Sequence, residues 1–440
     1  MKRLLIISYY WPPTGGSGVQ RWVKFAKYLP AEGWQPVIYT PLNPERLAED
    51  DSLSADVPAC AEVIRTQIRE PYALYRRIFG GKGSDGGAQR EVNPVSRSGG
   101  NWKKKLSLFL RGNCFVPDPR AGWIRPSVAF LLKYLEEHPV DAIVTTGPPH
   151  SMHLIGRDLC RALKRAGKPC PPWYADFRDP WTRMFYFKHL ALLPWNRRRH
   201  EKLEQSVLDE ATRVISVSPP VRDDFQAATR TPVELITNGF DPDDFPPLPE
   251  EERVDEWFTL VHTGLFAADG NPLNLWQALG DMCREDARLR DCLRLRLAGK
   301  VDGEILDAIR RAGLRDNLEH LGYLPHSAVT ALQQSASVLL LPLRREPEYA
   351  AVLPGKIFEY LAAARPVLGI GQSEGAAARL LRDAAAGDMF DWDRSAPVRA
   401  FIENEWQRWL AGERAPRPSA AAKYSRVELT RQLVALLNQK

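Results

Sequence analysis

Lys356 and Glu359 stand three residues apart in the stretch LPGKIFEYLAAARPVLGIG, residues 353–371. Pro354-Gly355 opens a short helix there, Arg365-Pro366 closes it, and Val367 to Ile370 begins the next strand. On such a helix the two side chains share a face. An ammonium near a helix N-terminus, where the dipole already favours anions, can neutralise a diphosphate. A carboxylate one turn further can accept hydrogen bonds from both hydroxyls of a ribose. Each charge-assisted bond is worth about 1.5–3 kcal/mol, so two of them fix a nucleotide's orientation. The same pair left on an open helix surface contributes only about 0.2–0.5 kcal/mol, and spacing alone does not separate the two cases.

A second candidate is LIISYYWPPTGGSGVQRWVKFAKYL, residues 4–28. Gly15, Gly16 and Gly18 lie between an apolar run, Leu4 to Ser8, and a helical pattern in Val19, Trp22, Val23, Ala26 and Leu29, with Arg21, Lys24 and Lys27 assigned to the opposite face. Glycines at that junction leave amide N–H groups uncovered at a helix N-terminus, which suits anions and polar oxygens; a plain helix-entry turn has the same composition. His150 in TTGPPHSMH and the group Asp176, Arg178 and Asp179 in WYADFRDPW each follow a strand-like run, which puts them at strand carboxyl ends. Carboxylates beside a guanidinium orient a substrate hydroxyl or form a structural ion pair. His150 and His153 have a metal-like spacing without carboxylate or cysteine company, so no metal is assigned to them. Two D-x-D strings, Asp241-Pro242-Asp243 and Asp391-Trp392-Asp393, share no loop with another ligand candidate, and turn chemistry accounts for the first.

These residues need a scaffold. In the first half, strand-like runs at Pro36 to Thr40, Glu62 to Thr66, Asp141 to Thr145, Trp173 to Phe177 and Arg213 to Ser218 alternate with helical stretches such as Ile124 to Glu137 and Met152 to Ala166. That alternation implies right-handed βαβ units on a parallel sheet. A second series, WFTLVHTG, LRLRLAG, SVLLLPL and PVLGIG, implies a second sheet. The Pro, Gly and Asp content of residues 239–255 marks a hinge between them. The expected division is therefore 1–238, a hinge at 239–255, 256–420, and a C-terminal helix within 421–440 packing across the domains. Ligands of open α/β sheets bind beyond the strands' carboxyl ends, so two such domains facing each other would form a cleft.

The 440 residues are 44% hydrophobic and 26% charged with a net charge of +6, which suits a globular chain and is too mild a bias to argue nucleic acid. Six cysteines are scattered without a C-x-x-C pair, usage that suits a reducing cytoplasm. The apolar run after Met1-Lys2-Arg3 breaks at Pro12-Pro13 and reads as a first strand, not a signal peptide. An insertion at about 80–113 begins Gly/Ser-rich and leads into NWKKKLSLFLRGNCF. Its Trp102, Leu106, Phe109 and Leu110 beside Lys103, Lys104, Lys105 and Arg111 make a basic amphipathic pattern, suited to an anionic membrane surface or to packing on the domain with a solvated basic face.

The stretches YWPPTGGSGVQRW, NGFDPDDF and above all PGKIFEYLAAARPVL resemble the retaining glycosyltransferases of family 4, along nearly the whole chain. The resemblance implies the GT-B fold, an α/β architecture of two facing Rossmann-like domains with parallel sheets and an interdomain cleft. The C-terminal domain would hold a nucleoside diphosphate sugar and the N-terminal domain a glycan or lipid-linked acceptor. Glu359 would bind the donor's ribose, His150 would touch the donor sugar, Gly15, Gly16 and Gly18 would give room to its diphosphate and sugar, and Asp176, Arg178 and Asp179 would meet the acceptor. Two departures stand out. A second glutamate common in the family falls at Ala351, with Glu346 and Glu348 nearby, and the usual basic pair is missing from HTGLFAADGNPLNL, which keeps Gly264. Diphosphate charge then falls to Lys356, with Lys300 and Arg344 as further cations. No cofactor and no metal are expected, and the implied setting is surface glycan synthesis in the cytoplasm or at the inner face of the membrane. The alternatives are a nucleotide-sugar epimerase, which would need no acceptor, and a sugar-nucleotide-binding protein without turnover.

Overall fold

Leu4, Leu5, Ile6 and Ile7 are completely buried, because the strand they form is central in a sheet covered on both faces. In the computed structural model, which describes residues 1–44, 51–70, 109, 112–184, 187, 190–245, 256–414, 416, 418 and 420–439, the chain divides into two units. The first comprises Met1–Thr237 and Leu429–Lys440, the second Asn238–Glu428.

The first unit's strands are β1 (Lys2–Ile7), β2 (Trp34–Pro41), β3 (Glu62–Thr66), β4 (Ala142–Gly147), β5 (Trp173–Phe177), β6 (Arg213–Ser216) and β7 (Val233–Leu235). They pair in parallel in the order β3-β2-β1-β4-β5-β6-β7. In the second unit β8 (Phe258–Thr263), β9 (Leu293–Ala298), β10 (Leu318–Gly322), β11 (Val338–Pro342), β12 (Val367–Ile370) and β13 (Gly387–Phe390) run in the order β10-β9-β8-β11-β12-β13, again parallel. Each unit is thus Rossmann-like. The strand order reverses between β1 and β4 and between β8 and β11, and the carboxyl ends of those pairs are where such sheets take ligands.

The helix Ser17–Tyr28 lays Val19, Trp22, Val23 and Ala26 on Leu4, Ile6 and Ile38. Its supposed polar face corrects the sequence reading, since Arg21 and Lys24 are only 2% and 5% exposed. Both are buried because each is neutralised: Arg21 by Asp176 at 2.8 Å, Lys24 by Asp56 at 2.8 Å. The C-terminal helix Arg426–Leu437 enters the first unit at Leu429, and its Leu429, Leu433, Val434, Leu436 and Leu437 join the same core.

The cysteines also depart from expectation. Cys160, in the helix Ser151–Arg165, forms a disulfide with Cys170, with Cα atoms 5.3 Å apart, while Cys60, Cys114, Cys283 and Cys292 are free. Among the described residues no helix is long and apolar enough to cross a membrane. The hinge residues 246–255, the Gly/Ser-rich stretch 80–100 and the basic amphipathic segment at 101–108, 110 and 111 lie outside the described residues.

Gly280 shows how tightly the second unit packs. It lies in the helix Leu273–Glu285, where a β-carbon would stand 2.2 Å from the Ala312 carbonyl oxygen. Alanine in an unconstrained helix is favoured over glycine by about 1 kcal/mol, but here the clash dominates. Gly280→Ala is expected to lower the unfolding free energy by about 1–3 kcal/mol in urea titrations; an unchanged or higher midpoint would contradict this packing.

Candidate functional site

The side chains of Lys356 and Glu359 converge on one residue, Thr263, the last of β8. Both sit on the helix Gly355–Ala363, which starts where Pro354 supplies an extended N-cap and ends where Ala364 turns left-handed. Lys356 Nζ donates to the Thr263 carbonyl at 2.8 Å and lies 3.4 Å from His262 Nε2. The His262 ring is buried and its pKa is pushed well below 6.5, first by burial and then by the Lys356 charge. With the other ring nitrogen, Nδ1, 3.0 Å from the Leu340 carbonyl, that nitrogen carries the proton and Nε2 offers its lone pair to Lys356.

Glu359 reaches the same point through Gln333, whose Nε2 donates to Glu359 Oε2 and to Thr263 Oγ1, both at 3.0 Å. The Thr263 amide donates to the Tyr360 hydroxyl at 3.3 Å. Every polar group of Thr263 is therefore engaged by this helix or by its neighbour His326–Ser335. Gly264 follows with φ +94°, a conformation that glycine adopts without strain, and a β-carbon there would come within 3.3 Å of the Lys356 ammonium. Burial lowers the Lys356 pKa to about 8, opposed by the Glu359 carboxylate.

The other second-unit candidates are placed differently. Lys300 is exposed just past Gly299, whose β-carbon would meet the Gly264 carbonyl oxygen at 2.5 Å. Arg344, in the loop after β11, lies 3.3 Å from Asp269 and above the Tyr349 ring. Ala351 ends the short turn Pro347–Ala351, and upstream of it Glu346 has a buried carboxylate oxygen with no hydrogen-bond partner among the described residues. Asp391 receives the Ser373 amide and hydroxyl, and Asp241 caps its own turn through the Asp243 amide.

In the first unit, two residues assigned to the acceptor are engaged within the protein. Asp176 is completely buried at the end of β5, with its oxygens taken by Arg21, by Trp22 Nε1 at 2.7 Å and by Thr146 Oγ1 at 2.9 Å. Burial alone would raise its pKa, yet the Arg21 charge and these bonds hold it below the usual value. It is a structural ion pair and offers no open oxygen. Arg178 donates to the carbonyls of Gly18, at 2.8 Å, and Pro148, while its amide donates to Gly147, so it ties together the loops after β1, β4 and β5. Asp179 accepts no hydrogen bond among the described residues, and burial pushes its carboxyl pKa up.

The glycines divide as well. Gly18 is glycine because a β-carbon would sit 3.1 Å from the Tyr10 ring and 3.2 Å from Arg178, so its room is already filled by the protein. Gly16, the N-cap of Ser17–Tyr28, has φ +101° and nothing within 4 Å of a β-carbon, while the preceding Gly15 is buried. His150 stands at the carboxyl end of β4, stacked on Trp181 with ring centroids 4.7 Å apart. It is 5% exposed with neither ring nitrogen bonded among the described residues, and burial keeps it neutral.

Thr263, Gln333, His262 and Tyr360 were not singled out from the sequence. Tyr360 adjoins Glu359 and Thr263 precedes the retained Gly264, so motif neighbourhood was an available signal for these two.

Residues 259–430 match the family model described as glycosyl transferases group 1. No curated protein sequence matches the chain significantly. Among solved structures, the chain is similar to a glycosyltransferase from Rickettsia africae (13% identity, TM-score 0.58, covering 99% of this chain and 97% of that one). It is also similar to WaaG, a glycosyltransferase involved in lipopolysaccharide biosynthesis (15%, TM-score 0.54, 99% and 100%). A third is a mutant of S. aureus TarM in complex with fondaparinux, alpha-GlcNAc-glycerol and UDP (11%, TM-score 0.56, 100% and 100%). At these identities the likeness establishes the fold, GT-B, and the stretch similar to the group 1 glycosyl transferases lies in the second unit.

Because Lys356 loses its proton at about pH 8 instead of near 10.5, an anion held by its ammonium binds progressively less well as pH rises through 8. Calorimetry with a nucleoside diphosphate should show affinity falling about tenfold per pH unit beyond that point, and Lys356→Arg should flatten the profile. A wild-type affinity independent of pH between 7 and 9.5 would remove Lys356 from the diphosphate.

Proposed function

We propose that the second unit binds a nucleoside diphosphate sugar at the carboxyl end of β8, and that the protein transfers the sugar to a glycan or lipid-linked hydroxyl with retention and without a metal. The observation that carries this reading is the convergence of Lys356, Glu359 and Gly264 on Thr263, next to the point where the strand order reverses. In the reaction the bond between the anomeric carbon and the diphosphate oxygen breaks, a bond to the acceptor oxygen forms, and the acceptor hydroxyl passes its proton to the departing diphosphate. The Lys356 ammonium and the N-terminus of its helix take up the leaving charge, a role that fixed charges and dipoles perform without reorganisation. Glu359 accepts the ribose hydroxyls, with Gln333 holding the carboxylate in place. In the first unit, His150 and the Gly16 loop follow the carboxyl ends of β4 and β1, the ends where such sheets take ligands. Family 4 membership, envelope glycan synthesis and a cytoplasmic setting at the inner face of the membrane belong to this proposal; the likeness to WaaG supports the pathway.

Ala351 favours a second reading, a nucleotide-sugar-binding protein without transfer. Both readings require the nucleotide. In a thermal-shift screen with uridine, guanosine and adenosine diphosphates, one of them should stabilise the protein, by about 2.7 kcal/mol at a hundredfold excess over Kd. Glu359→Ala should abolish that stabilisation while leaving the unliganded melt in place. No response of the wild type to any of the three would overturn the donor assignment, and tight binding with no sugar transfer to any acceptor would select the second reading.

A further inference from the structure

The helix Pro194–Glu210 carries a stripe that sugar transfer does not use. Trp195, Arg198, Arg199 and Lys202 recur at the spacing that puts them on one face, and they line a groove of about 680 Å³ with Arg157 and Arg161. Trp195 is 65% exposed, unusual for the largest apolar side chain. Arg157 is paired with Asp158 and Arg161 with Glu210, whereas Arg198, Arg199 and Lys202 have no carboxylate partner among the described residues. The groove is thus cationic and aromatic, with no acid among the residues that line it.

Asn113 accepts the Leu193 amide at 2.8 Å and the Asn196 side chain at 3.0 Å, so it is fastened to the first turn of the same helix, beside Trp195.

We infer that this stripe docks the protein on an anionic phospholipid surface, Trp195 entering the interfacial layer while Arg198, Arg199 and Lys202 meet lipid phosphates. Indole rings favour the boundary between headgroups and acyl chains, and unpaired cations beside them add attraction to a negative surface that salt screens. The inference rests on the membrane part of the function proposed above and is independent of sugar transfer.

The test is co-sedimentation of the full chain with phosphatidylcholine vesicles, with and without phosphatidylglycerol, at low and high salt. Binding is expected only to the anionic vesicles and only at low salt. The triple variant Arg198→Glu, Arg199→Glu, Lys202→Glu should bind about 100-fold more weakly, and Trp195→Ala should weaken binding by itself and remove the blue shift of tryptophan fluorescence on vesicle addition. Unaltered melting temperature and nucleoside diphosphate response in the same samples show that the variants are folded and keep failure here separate from failure of the donor site. Wild-type binding to neutral and anionic vesicles alike, no binding to either, undiminished binding by the triple variant, or equally tight binding to heparin without vesicle preference would each overturn the inference.

Discussion

Thr263 is the point on which the candidate donor site depends. Its carbonyl accepts the Lys356 ammonium, its hydroxyl accepts Gln333, and its amide donates to Tyr360. A strand's last residue ordinarily leaves some of these groups to solvent. Here two helices are fastened to it, so a cation and a carboxylate from one helix are held at a fixed separation beside Gly264. Lys356 would otherwise be a mobile chain with a strongly hydrated head. Carbonyl oxygens and a neutral imidazole restrain it, and among the described residues it makes no direct ion pair, which is the state an anion-binding group requires.

The first unit uses the same device for a different end. Arg178 and Arg21 are also cations that donate to carbonyls, those of Gly18 and Pro148 for one and of Ile236 and Thr237 for the other. Arg21 is in addition locked to Asp176, and removing one partner of such a buried pair typically costs about 3–5 kcal/mol. These two arginines stitch the carboxyl-end loops together. Among the described residues, neutral His150 has neither ring nitrogen bonded, and Gly16 has open space where a β-carbon would stand.

Much of this was legible in the residues. The apolar runs at Leu4, Ile143, Trp173, Leu260, Leu339 and Val367 read as strands because each lies inside a sheet with both faces covered, and Lys356 with Glu359 read as a pair because helical spacing alone brings them together. What was not legible has physical reasons. β7 and β10 were not anticipated, and both are edge strands, VEL and LEHLG, too short and too polar to form an apolar run. Arg21 and Lys24 were given to solvent because a cation on a helix is usually solvated, and the partners that bury them come from Asp176 and Asp56, far along the chain. Gln333 escaped notice because an amide in a helix carries no pattern; its role arises only when the fold sets it between Thr263 and Glu359.

A crystal structure of the protein with a bound nucleoside diphosphate tests the central claim most directly. The account predicts phosphate oxygens within hydrogen-bond reach of Lys356 Nζ beside Gly264, and ribose hydroxyls on the Glu359 carboxylate. A nucleotide lodged elsewhere, with Lys356 still turned to the Thr263 carbonyl and Glu359 untouched, would contradict it.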